Sequence, residues 1–175
     1  SPVKILVETE HIRCAPHMGR VKCGGNCASA MHWVLKAKAE YGANQVLFCP
    51  NGDVQETGAS NFILIKGNEI ITKPLTDEFL HGVTRDSVLT VAKDLGYTVS
   101  ERNFTVDELK AAVEEGAEAI LTGTAAVISP VTSFVIDGKE IEVKSQERGY
   151  ALRKALTDIQ YGLAEDKHGW LVEVC

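Results

Sequence analysis

Short apolar stretches alternate with longer amphipathic ones along the chain, and this alternation limits the possible fold more than any other feature of the sequence. The apolar stretches predict strands at residues 3–7, 45–49, 62–66, 69–72, 97–102 and 119–121, and a hairpin over 134–143. The amphipathic stretches predict helices at residues 27–41, 82–96, 105–116 and 147–161. Strands interleaved with helices in this way indicate a mixed α/β domain.

Composition and charge narrow the class of protein. At 175 residues and 45% hydrophobic content, the chain is long enough to bury the core of one domain. A net charge of −6 without runs of Lys or Arg argues against a general nucleic-acid or anionic-membrane binder. No apolar stretch has the length of a membrane span and no signal peptide opens the chain, so we expect a soluble protein.

The cysteines and the first residues indicate the compartment and the extent of the chain. Five cysteines without a framework spacing fit free thiols in a reducing compartment. This predicts a cytoplasmic protein, or a mitochondrial or plastid one in a eukaryote. Ser1-Pro2 leads directly into the first strand without an initiator Met, which indicates a piece of a longer protein.

Lys22 lies in the glycine-rich stretch 19–27, directly before a predicted helix. An unprotonated amine in such a place can attack an aldehyde, and Gly24 and Gly25 would let a flat ligand approach the backbone closely. The ordinary alternative for this pattern is a solvated loop lysine. The position of Lys22 alone does not decide between these two interpretations.

Three further stretches are candidates for ligand binding. Glu56 precedes Gly58 and a buried strand, where its carboxylate can face a pocket, although a solvated turn acid is the common alternative. Gly82 leads into a helix, whose N-terminus offers the backbone donors and positive dipole end that a phosphate site requires, although most such termini are simply capped. Small residues and hydroxyls crowd together at 122–126, where a bare backbone can approach an anion.

A zinc site is the alternative suggested by His11, Cys14 and His17, which recur at every third position, with Cys23 and Cys27 farther on. No second pair has zinc-finger spacing, and a proline interrupts the stretch. We therefore predict no metal site.

Five short motifs, taken in order, resemble the branched-chain amino acid aminotransferases, which are fold-type-IV pyridoxal phosphate (PLP) enzymes. The motifs are Lys22 with Gly24-Gly25-Asn26, Glu56-x-Gly58-x-x-Asn61, Leu80-x-Gly82-Val83-Thr84-Arg85, Gly123-Thr124-Ala125 and the run Leu-Thr-Asp-Ile-Gln-Tyr-Gly at 156–162. Each motif is weak alone, but together they follow the order and approximate spacing of the family over nearly the whole chain.

The resemblance implies a single domain over residues 1–175, similar to the larger, C-terminal, PLP-binding domain of the family, with the small N-terminal domain absent. That domain has a barrel-like mixed sheet with flanking helices. In the family the small domain supplies an arginine to the PLP phosphate and part of the substrate pocket. The domain alone is therefore expected to bind PLP weakly, and it can be inactive.

The implied activity is PLP-dependent transamination of Leu, Ile and Val with 2-oxoglutarate, in branched-chain amino acid biosynthesis, by a full-length homodimer. The alternatives are a D-amino acid aminotransferase, an aminodeoxychorismate-lyase-like enzyme, or a non-catalytic remnant or fragment of the family. The C-terminal run at 156–162 favours the branched-chain group.

The resemblance also implies roles for individual residues. Lys22 would hold PLP as a Schiff base and later move the proton between the substrate's α-carbon and the cofactor. Glu56 would face the pyridine nitrogen and keep it protonated, so that the ring withdraws electrons. Leu80 would pack on the ring, and the N–H groups of Val83 and Thr84 would bind the phosphate.

The Thr124 hydroxyl would assist at the phosphate, and Gly123, Thr124 and Ala125 would offer N–H donors to the substrate carboxylate. The clearest departure from the family is Cys27, which stands where the family usually has a tyrosine that donates to the cofactor's phenolic oxygen. A thiol is a much poorer donor. A second departure is His81, which stands where the family has proline.

Overall fold

The computed structural model describes residues 3–174, where one mixed sheet carries four helices, and it confirms the predicted mixed α/β class. The strands are β1 Val3–Glu8, β2 Gln45–Phe48, β3 Asn61–Lys66, β4 Glu69–Thr72, β5 Thr98–Glu101, β6 Glu118–Gly123, β7 Val127–Ile136 and β8 Lys139–Glu142. The helices are α1 Gly24–Tyr41, α2 Val83–Asp94, α3 Val106–Glu114 and α4 Glu147–Gln160. The Ser1-Pro2 start discussed above lies outside the described residues.

The sheet combines a parallel part with an antiparallel part. Its strand order is β2-β1-β7-β6-β3-β4-β5, and β8 pairs with β7. β1 runs parallel to β2 and β7, whereas β6 is antiparallel to both β7 and β3. The long strand β7 joins the two parts, because residues 127–130 pair with β6 and residues 131–135 pair with β1.

Two predicted boundaries are wrong, each for a local reason. Helix α1 begins at Gly24, so the predicted turn at 24–26 is its first helical turn. Cys23 ends the extended segment, with φ −126° and ψ 157°. Strand β7 begins at Val127, well before the predicted hairpin at 134–143, because the polar positions Ser129 and Ser133 interrupt the apolar run without breaking the strand pairing.

Alternating side chains of β3 enter two separate cores. Phe62 and Leu64 belong to the core on the α3 side, where the ring of Phe62 lies 6.1 Å from that of Phe134. Ile63 and Ile65 belong to the core that α2 and α4 cover on the other side. A strand buried on both faces needs a continuous apolar run, which explains the Phe-Ile-Leu-Ile sequence.

Gly19 joins the loop before α1 to the loop before α2. Its N–H donates to the Asp77 carbonyl at 3.0 Å. A Cβ at Gly19 would lie 2.0 Å from the carbonyl carbon of Glu78, so only glycine fits. This contact fixes the distance between the two loops that precede helices α1 and α2.

Within residues 3–174, no helix is both long and apolar enough to cross a bilayer.

We expect Gly19→Ala to destabilise the protein, because the added methyl group meets backbone atoms that cannot move aside cheaply. Overpacking of this kind typically costs about 1–3 kcal/mol of unfolding free energy, measurable by denaturant titration. Gly24→Ala is the matched control, since a Cβ there meets nothing within 4 Å. Equal stability of the two variants would contradict the close loop contact.

Candidate active site

A cavity of about 300 Å³ lies where the loop before α1, the loop before α2 and the ends of β3 and β6 meet. This volume lies at the lower end of the range for pockets that bind small molecules. Every predicted site residue except Ala125 lines it. These residues are Lys22, Cys27, Glu56, Leu80, Val83, Thr84, Gly123 and Thr124. The structure thus brings together residues from four separate parts of the sequence.

Lys22 lies on an ordered loop at the cavity wall, directly before α1. Asn26, a buried residue in the first turn of α1, holds this loop: its Nδ2 donates to the Met18 carbonyl at 2.8 Å and to the Val21 carbonyl at 2.9 Å. Lys22 itself is exposed, and in the described part of the chain its amine forms no ion pair. The backbone at Lys22 is therefore fixed while its amine stays free to react.

Glu56 is a buried carboxylate surrounded by donors. Its Oε1 lies 2.6 Å from Arg13 Nε and accepts from the Leu80 N–H at 3.2 Å. Its Oε2 accepts from Asn61 Nδ2 at 2.9 Å. Among the described residues, Arg13 Nε has no aligned hydrogen-bond partner, so its contact with Glu56 is a close ion pair. Since a carboxylate oxygen has two lone pairs, Oε2 retains acceptor capacity toward the cavity.

Burial dominates the acid–base behaviour of Glu56. Removal from water raises the pKa of Glu56 to about 8, against the charge of Arg13, the hydrogen bonds from Leu80 and Asn61, and the charge of Lys22, which all lower it. A carboxyl with such a pKa changes its proton content near neutral pH. It responds to any charged group that enters the cavity.

The N-terminus of α2 opens onto the same cavity. Gly82 precedes the helix with an extended backbone and no side-chain cap, and a Cβ there would lie 2.2 Å from Asn61 Oδ1. The first helical N–H to bond back is that of Asp86, to the Gly82 carbonyl at 3.1 Å. The amides of Val83 and Thr84, both at the cavity wall, are therefore open to an anion.

Thr122 is a wall residue that the sequence analysis did not single out. It is 1% exposed, and its hydroxyl oxygen has no hydrogen-bond partner among the described residues. Its backbone pairs with that of Asn61 across β6 and β3. Buried hydroxyls without partners are uncommon in folded proteins, which makes Thr122 a candidate to meet a ligand. The hydroxyl-rich stretch 122–126 was the signal that could have identified it.

Ala125 does not line the cavity, and its role toward the substrate carboxylate stays a prediction. A turn over residues 124–126 carries the chain away from β6 and into β7, and Ala125 is exposed on it. The turn ends at Val127, whose φ of 58° is unusual for a β-branched residue. Gly123, the last residue of β6, and Thr124, the first residue of the turn, both line the wall.

The cysteines near the cavity are free thiols. Cys23 and Cys27 line the wall, and Cys14 is buried, with its Sγ 3.8 Å from the Glu78 carbonyl oxygen. Burial raises the pKa of the Cys14 thiol. Within residues 3–174, no group of three or more His, Cys, Asp or Glu side chains is placed to hold a metal ion.

The chemistry of the wall suits a flat ligand with three different ends. A free amine can bind a carbonyl, a buried carboxyl can face a ring nitrogen, and the open amides of α2 can bind an anion. PLP carries an aldehyde, a pyridine nitrogen and a phosphate, so these residues fit it. The fit is poorest at Cys27, where a thiol is a weak donor for the ring hydroxyl.

Comparison with known proteins supports this interpretation. The sequence model of the family described as "Amino-transferase class IV" matches residues 18–134. A probable branched-chain-amino-acid aminotransferase of Streptomyces coelicolor is 40% identical over 179 residues, which cover 97% of this chain and 49% of that protein. The chain spans about half the length of the curated relatives it matches.

Solved structures of branched-chain amino acid aminotransferases share the fold of this chain. The branched-chain amino acid aminotransferase of Escherichia coli superposes with a TM-score of 0.83 at 28% identity, covering 98% of this chain and 57% of that one. The branched-chain amino acid aminotransferase of Thermobaculum terrenum, solved in its PLP-form, gives a TM-score of 0.83 at 26% identity, covering 98% of this chain and 55% of that one.

The raised pKa of Glu56 predicts a measurable protonation change. The ¹³C signal of its carboxyl should titrate near pH 8 without ligand, and Arg13→Met should move the midpoint higher because it removes a lowering charge. A midpoint near the ordinary value of 4.5 would contradict the assignment.

The unfolding free energy should depend on pH through the same titration of Glu56. Between pH 4.5 and about 8 the native state keeps a Glu56 proton that the unfolded chain has lost. Raising the pH through this interval should therefore lower the unfolding free energy relative to Glu56→Gln, by at most about 1.4 kcal/mol per pH unit.

Proposed function

Because this chain belongs to the Amino-transferase class IV family, we propose that it is the PLP-binding part of a branched-chain amino acid aminotransferase. The reaction moves the amino group of Leu, Ile or Val to 2-oxoglutarate. One observation carries the proposal: Lys22, Glu56 and the open amides of Val83 and Thr84 lie around one cavity. The names of the relatives and of the structural neighbours support the substrate class.

Bound PLP supplies an aldehyde that accepts the amino group and a ring that withdraws electrons from the substrate's α-carbon. Lys22 provides the amine that binds this aldehyde. The Lys22 Nζ would also be the base placed to move a proton at the substrate's α-carbon. The bonds from Asn26 to both sides of the Lys22 loop keep this amine in place.

Glu56 faces the pyridine nitrogen in this proposal. A ring nitrogen beside Glu56 would take up the proton, and Glu56 would be its ionised partner, because the positive charge so formed lowers the pKa of the buried carboxyl. Arg13 and Asn61 then hold the carboxylate by an ion pair and a hydrogen bond. Oε2 has the acceptor capacity that the ring N–H needs.

The phosphate lies at the N-terminus of α2. The amides of Val83 and Thr84 donate to it, the helix dipole favours its charge, and the Thr124 hydroxyl assists. Leu80, held by the bond from its N–H to Glu56, packs on the ring. Gly123 and Thr124 offer backbone donors to the substrate carboxylate. Ala125, the next residue on the turn, would offer its N–H to the same carboxylate.

The wider context is also a proposal. The chain forms one domain of a longer polypeptide that works as a homodimer in branched-chain amino acid biosynthesis. A cytoplasmic or organellar location is supported by the four described cysteines, which are all free. The names of the relatives do not favour the alternative, a non-catalytic member of the family, and the weak donor Cys27 at the cavity wall is the observation that makes it worth testing.

Reduction with borohydride in the presence of PLP should attach the cofactor to Lys22, and peptide mapping locates the label. Lys22→Ala should lose both the label and amino-group transfer from leucine to 2-oxoglutarate by the full-length protein. Lys36→Ala, on the exposed side of α1, is the matched control and should keep both. Label on Lys36, Lys66 or Lys73 would overturn the assignment.

Cys27→Tyr distinguishes the two candidate functions. In a working transaminase the new hydroxyl donates to the ring oxygen, so the rate should rise and the pH at which the visible absorbance band shifts should change. Cys23→Tyr, at the neighbouring wall position, is the control for bulk alone. An unchanged spectrum and rate in Cys27→Tyr would favour the non-catalytic member.

A further inference from the structure

Arg85 is a buried cation in the first turn of α2, the turn whose amides open onto the cavity. Its side chain is 3% exposed. One guanidinium nitrogen, Nη2, donates to the Lys73 carbonyl at 2.8 Å and to Glu101 Oε2 at 2.7 Å. Lys73 follows β4 and Glu101 ends β5, so Arg85 ties the start of α2 to the ends of two strands.

Helix stability does not explain this placement. A positive side chain in the first turn opposes the helix dipole, whose positive end is there. Burying a guanidinium is unfavourable, and Arg85 Nε has no partner among the described residues. A buried ion pair adds little net stability compared with apolar packing, so what Arg85 provides is a fixed position for the turn.

A second buried cation lies close to this turn. Lys73, whose carbonyl accepts from Arg85, is buried as well, and its amine pairs with Asp53 and donates to Asn103 Oδ1 at 3.2 Å. The carboxylate partners Asp53 and Glu101 are partly exposed, so water screens them more than it screens the two cations. Arg85 and Lys73 are thus two buried cations next to the first turn of α2, each held by a carboxylate.

An independent observation indicates that a ligand belongs here. The hydroxyl of Thr122, 1% exposed and without a partner among residues 3–174, belongs to the wall that also contains Val83 and Thr84. Such a group is satisfied when a ligand oxygen or a ligand-held water reaches it.

We infer that Arg85 is a positioning residue for the anion site: it anchors the first turn of α2 so that the Val83 and Thr84 amides are preorganised for a phosphate group. Arg85 does not touch the ligand and acts through the turn that it anchors. For the cofactor phosphate this inference rests on the proposed function, but the anion site can be tested without any cofactor.

Inorganic phosphate is the first probe, with the amide signals of Val83 and Thr84 followed by NMR in the full chain. Arg85→Met should weaken phosphate binding by about tenfold, as expected when preorganisation is lost. Arg85→Lys keeps the charge and should recover part of the affinity. Arg102→Met, which removes the ion pair with Glu108 at the start of α3, is the control and should bind as the parent does.

Glu101→Gln tests the inference even if Arg85→Met does not fold. It keeps the arginine and changes only its partly exposed partner, so it should fold and still bind phosphate about threefold more weakly. Parental phosphate affinity in Arg85→Met or in Glu101→Gln would overturn the inference. Absence of phosphate shifts at Val83 and Thr84 in the parent would overturn it too.

Pyridoxamine 5'-phosphate and pyridoxamine separate this inference from the proposed function, because neither reacts with Lys22. Arg85→Met should lose about tenfold in affinity for the phosphorylated ligand and less than about twofold for pyridoxamine, which lacks the phosphate. Equal losses would show a general structural role and overturn the inference. A parent that binds inorganic phosphate but not pyridoxamine 5'-phosphate would refute the proposed function and leave the anion site intact.

Discussion

The buried carboxylate of Glu56 is the contact on which the rest of the site depends. It joins three segments that are distant in sequence: Arg13 in the loop before α1, Asn61 at the start of β3 and the Leu80 N–H in the loop before α2. A buried carboxyl of this kind can ionise only where donors surround it. Removing any donor therefore changes both the pKa of Glu56 and the relative positions of the loops that form the cavity.

The two ends of the cavity have opposite electrostatic character. At one end the acid Glu56 suits a group that carries a proton, and at the other the α2 terminus suits an anion. Buried arginines support both ends, Arg13 beside the acid and Arg85 behind the helix terminus. A ligand that is cationic at one end and anionic at the other is therefore oriented before any covalent step.

The sequence alone predicted the fold class, because strand and helix periodicity is a local pattern. It also predicted most residues of the cavity wall, because the five motifs are local patterns too. Arg13 was missed because an arginine in an irregular loop has no local signature, and only the folded chain brings it to Glu56. Thr122 was missed because the absence of a partner is a tertiary property. Ala125 was placed at the site by its motif, and since it is exposed on the turn after β6 and does not line the cavity, its role stays a prediction.

Other contacts replace the family residue at one of the two departures, His81, but not at the other, Cys27. His81 stands where the family has a proline, whose ring would fix the backbone. The Nε2 of His81 donates to the Thr76 carbonyl at 2.8 Å. A side-chain hydrogen bond therefore restrains the same loop. For Cys27 the described contacts offer no comparable replacement, since its thiol lies at the wall and is exposed. The loop at His81 is thus restrained by other means. If Cys27 lies at the ring oxygen, as the resemblance implies, its thiol donates weakly there, and the described residues around it supply no substitute donor.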